Sequence, residues 1–179
     1  MNEYVETVKL PNIVKDTRFI SQNFGNKLKV KRLTETAKLP VKANQNDAGF
    51  DIFAERGALV FKNRTTKVST GLSIEIPDGY YGRLTGRSGL TSKTPLRVQE
   101  GTIDAGYRGE IKVICDVKSK HKICDEGGFA VDADGFYAIE TGDKIAQLII
   151  QPLPAFEIEE VDELTETDRG ANGFGSTGV

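Results

Sequence analysis

The sequence predicts an all-β domain of the sandwich or jelly-roll type, and three observations carry that expectation. Short apolar or alternating runs recur at intervals of about eight to twelve residues from Leu28 onward. Turn signals such as ERG, PDGYYG and EGG separate the runs, and the 19 glycines suit a chain that turns often. No stretch has the length and 3.6-residue period of a long helix, so a doubly wound α/β fold is excluded.

Taken in order, residues 1–27 read as an N-terminal arm or extension. Ile13, Val14, Phe19, Ile20 and Phe24 fit an amphipathic segment loosely, and Pro11 and Gly25 bracket it. Residues 28–161 read as the β domain. Its predicted strands are LKVKRL, FDIFA, ALVF, TKVST, LSIEIP, YYGRLT, LRVQ, EIKVICDV, FYAIE, IAQLIIQPL and FEIEEV. The clearest is EIKVICDV, where Ile111, Val113, Cys115 and Val117 alternate as one face of a half-buried strand.

Before that strand stands GTIDAGYRG, Gly101 to Gly109. Thr102 and Ile103 extend an incoming strand, and Ala105 and Gly106 fall where a tight turn needs a permissive backbone, which predicts a hairpin carrying Asp104 at its tip. On local grounds alone Asp104 is a turn former.

The segment 118–135 is longer than a hairpin needs. It sets Lys118, Lys120 and Lys122 against Asp125, Glu126, Asp132 and Asp134, the pattern of a solvated excursion. Residues 162–179 read as a tail, acidic at first and then glycine-rich in RGANGFGSTGV. Its Arg169, Phe174, Ser176 and Thr177 supply a charge, an aromatic face and two hydroxyls among glycines whose N–H groups can approach an anion. No GK[ST] is present to make it a Walker A loop.

Composition bounds the partners. With 38% hydrophobic and 28% charged residues, a net charge of -2 and scattered basic residues, the chain fits one soluble domain and advertises no nucleic-acid polymer. A small anionic ligand held by a few arginines remains compatible. No uninterrupted apolar leader and no run of 18 apolar residues occurs, so a cytoplasmic protein without a membrane span is expected. Cys115 and Cys124, with the single His121, do not make a zinc pattern and read as reduced thiols.

Five stretches stand in a fixed order: AGFDIFA (Ala48 to Ala54), GRSGL (Gly86 to Leu90), GTIDAGYRG, GDKIAQLII (Gly142 to Ile150) and RGANGFGSTG (Arg169 to Gly178). Together they resemble the five motifs of the trimeric dUTPases, over residues from about 28 to 178. The resemblance implies a β jelly roll assembled as a homotrimer with sites shared between subunits. It implies hydrolysis of dUTP to dUMP and pyrophosphate with Mg²⁺, a reaction that limits uracil in DNA and supplies dUMP for dTMP synthesis.

Carried over residue by residue, the resemblance gives Asp104 the task of orienting and activating the water that attacks the α-phosphorus. Main-chain groups of the same turn, at Gly101 and Ile103, would read the uracil edge. Tyr107 would pack under the deoxyribose and exclude a 2'-hydroxyl. Arg87, Ser88 and Gly89 would hold phosphates, with Gln147 near the α-phosphate and Asp51 supporting metal-bound water and neighbouring arginines. Phe174 would stack on the base as the tail closes, with Arg169, Ser176 and Thr177 toward the phosphates and Gly175 among the substrate-binding residues. Mg²⁺ would bind through substrate oxygens and waters, without an all-protein cage.

Two features depart from the family pattern. Val98 stands where some members carry an Asn that helps hold the base, and the excursion 118–135 is longer than in compact members. Two other readings stay open at this point. A dCTP deaminase shares the jelly roll but would need a Glu general acid/base and no closing Gly-Phe-Gly tail. A nucleotide-sensing interaction protein would couple tail ordering to a regulatory partner, using the N-terminal arm and the excursion as surfaces.

Overall fold

The computed structural model describes residues 27–118 and 135–171. Within them the order is β1 (Lys29–Arg32), β2 (Phe50–Phe53), β3 (Ala58–Phe61), β4 (Thr66–Ser69), β5 (Leu72–Glu75), β6 (Tyr80–Thr85), α1 (Ser88–Lys93), β7 (Leu96–Val98), β8 (Gly101–Ile103), β9 (Lys112–Val117), β10 (Phe136–Ile139) and β11 (Lys144–Pro152). The strands form a four-stranded sheet, β2-β11-β6-β8, a three-stranded sheet, β4-β9-β7, and two pairs, β1-β5 and β10-β3. Every strand pairing among the described residues is antiparallel, as the jelly-roll expectation requires.

Strand β9 shows how sequence alternation becomes a core. Val113, Cys115 and Val117 are buried while Lys112 and Ile114 face outward. Across the ladder Val113 meets Val68, Cys115 meets Val98 and Val117 meets Leu96, so each inward residue finds an apolar partner. From the other sheet Ile52 and Leu148 join the same cluster, together with Ile74, Ile76 and Ile145. That shared apolar cluster holds the functional segments at the rim in fixed register.

Two local expectations are corrected and one element is added. The predicted hairpin is not one: β8 pairs with β6 and β9 pairs with β4 and β7, so the arms of GTIDAGYRGEIKV part into different sheets. The reason lies in burial, because Ile103 belongs with Gly82 and Leu84 while Val113 belongs with Val68. The run FEIEEV forms no strand; residues 153–161 are exposed, with Phe156 87% and Ile158 100% accessible. Its alternation is strand-like, but a strand needs a partner for its backbone, and this chain supplies none among the described residues. Finally, GRSGL opens the short helix α1, which the sequence did not signal. The arm 1–26, the excursion 119–134, including Cys124 and His121, and the tail residues Phe174, Gly175, Ser176 and Thr177 lie outside the described residues.

Candidate active site

Of the predicted site residues that are described, all but Arg169 fall in two clefts that share no lining residue. The first, about 320 Å³, opens beside β8 and is lined by Gly101, Thr102, Ile103, Asp104 and Tyr107, with Glu110, Ile111, Lys112 and Ile114 from the outgoing arm. Strand β8 is the edge of its sheet, paired with β6 on one side only. Ile103 is buried, which fixes the strand's rotation, and the unpaired main-chain edge of β8 has no partner strand among the described residues. Such an edge can read a planar ligand by fixed hydrogen bonds.

Asp104 follows immediately and is exposed. The Tyr107 N–H donates to the Asp104 carbonyl at 3.1 Å and closes the turn. The Tyr107 ring lies so close over Gly109 that a Cβ there would collide with it. Its hydroxyl donates to the Glu110 carbonyl at 3.0 Å. A half-exposed ring is thereby held at one end of the cleft, with Asp104 on the same turn.

The second cleft, about 290 Å³, is lined by Asp47, Gly49, Asp51, Arg87, Ser88, Gly89 and Gln147, with Ala43 and Ala48. Here Asp51 is the hub. One carboxylate oxygen stands 2.9 Å from Arg87 Nε and the other 2.8 Å from Lys144 Nζ. Arg87 Nη1 also donates to the Lys144 carbonyl at 3.2 Å, so the guanidinium is fixed before any ligand arrives. Gln147 sits directly opposite Asp51 and donates from Nε2 to the Gly86 carbonyl at 3.2 Å. Gly49 makes this possible, since a Cβ there would lie 2.9 Å from Gln147 Oε1.

Lys144 was not picked out from the sequence. It stands three residues before Gln147, and in a flat strand an odd spacing sends side chains to opposite faces. A bulge between Lys144 and Ala146 inserts one extra residue, so Ile145 and Ala146 are both buried and Lys144 returns to the face of Gln147 and Asp51. Two adjacent buried residues between two polar ones were the available signal. Glu110 was also missed, as an acidic residue leading an otherwise apolar alternation.

The remaining candidates are placed as follows. Val98 pairs with Cys115, packs against the core and lines neither cleft. Arg169 lies in an exposed turn and lines neither cleft. Cys115 is fully buried, and burial first, then the nearby Asp116, pushes its thiol up to about 12, so it is no nucleophile.

An antiparallel β domain with Arg87, Ser88 and Gly89 in one cleft and a carboxylate beside an edge strand in another holds residues of the types a nucleotide phosphohydrolase uses. The dUTPase family model matches residues 35–128 and 129–178. The deoxyuridine 5'-triphosphate nucleotidohydrolase of Clostridium tetani is 41% identical over 153 residues, 84% of this chain and 96% of that protein. The chain belongs to the dUTPase family. A variant dUTPase of Staphylococcus bacteriophage 80alpha, solved with dUpNHpp, superposes with a TM-score of 0.75 at 36% identity, over 86% of this chain and 99% of that one. A variant dUTPase from phage phi11 of S. aureus, described with a structural Mg(II) ion, gives 0.66 at 36% identity, over 77% and 98%.

Proposed function

We infer that this chain hydrolyses dUTP to dUMP and pyrophosphate, with Asp104 directing a water onto the α-phosphorus. The observation that carries this reading is the position of Asp104: an exposed carboxylate at the end of an edge strand, lining the same cleft as that strand's residues. A base held by that edge brings its sugar toward Tyr107 and its first phosphate toward Asp104. The carboxylate then accepts the water's proton as the water attacks, and pyrophosphate leaves.

Discrimination follows from the same wall. Fixed main-chain groups leave cytosine with mismatched partners, and buried unpaired groups are costly. The ring of Tyr107, held from Glu110 and Gly109, offers no partner to a 2'-hydroxyl.

The second cleft suits the phosphates. Arg87 supplies charge, Ser88 a hydroxyl and Gly89 a main-chain N–H, with open space where a Cβ at Gly89 would stand. A magnesium ion carried by the triphosphate would take its remaining oxygens from waters, and both Asp51 oxygens already face the cations of Arg87 and Lys144. Asp51 is the carboxylate that would meet such an ion's waters. Magnesium bound to the triphosphate would neutralise phosphate charge. The separation of the clefts supports a homotrimer in which Asp104 of one subunit meets the phosphate cleft and tail of others.

A nucleotide panel scored for pyrophosphate release tests the reading. Strong preference for dUTP over dCTP, dTTP and UTP is expected, with no ammonia from dCTP. Equal turnover of all four would end it.

A further inference from the structure

We propose that Glu110 is a positioning residue for the first cleft: its carboxylate pins the outgoing arm of the Asp104–Gly109 turn to the β4–β5 connection and so sets where Asp104 and Tyr107 stand. The inference deepens the functional reading above and rests on it for its catalytic consequence.

The argument starts from the missing hairpin. Because β8 and β9 join different sheets, the turn between them has no ladder of its own. Its incoming arm is fixed by three residue pairs with β6, Gly82 with Ile103, Arg83 with Thr102 and Leu84 with Gly101. Its outgoing arm enters a sheet only at Lys112. Just before it, the Ile111 N–H donates to the Leu72 carbonyl of β5 at 2.8 Å, so what remains to be located is the backbone from Asp104 to Glu110.

Glu110 is placed to do this. Its Oε1 accepts from the Ser69 hydroxyl and, at 3.1 Å, from the Gly71 N–H, while Oε2 lies 3.3 Å from Lys112 Nζ. Ser69 ends β4 and Gly71 precedes β5, so one carboxylate ties the turn to both strands. The neighbouring main chain is tied at the same place: Thr70 Oγ1 donates to the Ile111 carbonyl at 2.6 Å, and Ser73 Oγ donates to the Arg108 carbonyl at 2.8 Å. The carbonyl of Glu110 itself receives the Tyr107 hydroxyl.

The chemistry of the partners explains why a carboxylate stands here. All three are donors, and only an acceptor-only group satisfies them together. Burial alone would raise the Glu110 carboxyl, but the bonds from Ser69 and Gly71 and the Lys112 ammonium outweigh it and hold the group below the ordinary carboxylate range. An ionised group with three donors is a firmer tether than a neutral pair.

Three variants test this with two readouts. In Glu110→Ala, kcat for dUTP is expected to fall by about 100-fold, the effect of a misplacement on the order of 1 Å, with a smaller change in KM. The preference for dUTP over UTP narrows, because Tyr107 moves as well. Glu110→Gln keeps an acceptor for Ser69 and Gly71 and restores most of kcat. Ser69→Ala shifts both quantities in the same direction, and combined with Glu110→Ala it adds little, because one tether is cut twice. Amide hydrogen exchange of residues 104–109 is expected to quicken roughly tenfold in Glu110→Ala while β4 and β9 stay protected.

Wild-type exchange at 104–109 with wild-type kcat in Glu110→Ala would overturn the proposal. So would uniform loss of protection with a kcat that Gln fails to restore, which marks a merely structural residue. A wild-type protein that releases pyrophosphate from no nucleotide would sink the functional reading, and the exchange experiment would still decide the tether.

Discussion

Replacing Asp104 by Asn keeps the side chain's shape and removes its basicity, so the variant separates binding from chemistry. Turnover is expected to fall by on the order of 10² to 10⁴, the usual share of a general base, with dUTP affinity within a small factor. Steady-state kinetics with a direct binding measurement checks this, and a wild-type kcat would remove Asp104 from the mechanism. Tyr107→Ala should narrow the preference for dUTP over UTP more than that for dUTP over dTTP. Equal loss in both ratios would make the ring a support for the turn and nothing else. Glu110 carries a pH prediction. A carboxyl held below its ordinary value of 4.5 in the folded chain contributes stability that is complete above that value and lost as pH falls through the folded pKa. Thermal melts should therefore show a steeper acid decline in the wild type than in Glu110→Gln, and identical slopes would deny Glu110 that part. At this scale the motif residues were legible because their chemistry is written in their type. Glu110 and Lys144 were not, because both act by holding a neighbour and neither stands out by composition.

At the scale of elements, the alternation of Ile111, Val113, Cys115 and Val117 was legible because one face of β9 meets apolar partners along its whole length. Where the strand period breaks, the sequence misleads. A period of two assigns Lys144 and Gln147 to opposite faces, and only the bulge in β11 brings them together over Asp51. The spelling KIAQ is thus a backbone irregularity written in side chains. The hairpin failed for a related reason: local turn chemistry says that the chain reverses, and says nothing about which sheet each arm will join. Packing around Gln147 is tight enough to test. Gly49→Ala would place its Cβ 2.9 Å from Gln147 Oε1 and 3.2 Å from Ile149 Cγ1, so a loss of about 1–3 kcal/mol is expected from overpacking. A chemical-denaturation midpoint equal to wild type would show that Gln147 has room to move.

For the whole molecule, the run FEIEEV has the pattern of a strand and the exposure of a coil, as a segment would whose partner belongs to another copy. The proposed trimer yields a rescue experiment. Asp104→Asn chains mixed with chains cut after Asp168 should regain activity, because a site needs Asp104 from one chain and a tail from another. Random equal mixing restores about one half times one half, or roughly a quarter of sites. Mixed trimers verified by mass yet inactive would refute the cross-subunit site. The separation of the two clefts within one chain has a further consequence, for how this protein behaves on dilution. In the proposed trimer a lone chain holds only part of a working site, so dilution removes activity whether or not the chain's own fold is kept. Far below the concentration at which three chains associate, the amount of trimer follows the cube of the chain concentration, and activity per chain follows its square. Circular dichroism recorded beside turnover along a dilution series would show whether the β domain outlasts the proposed assembly.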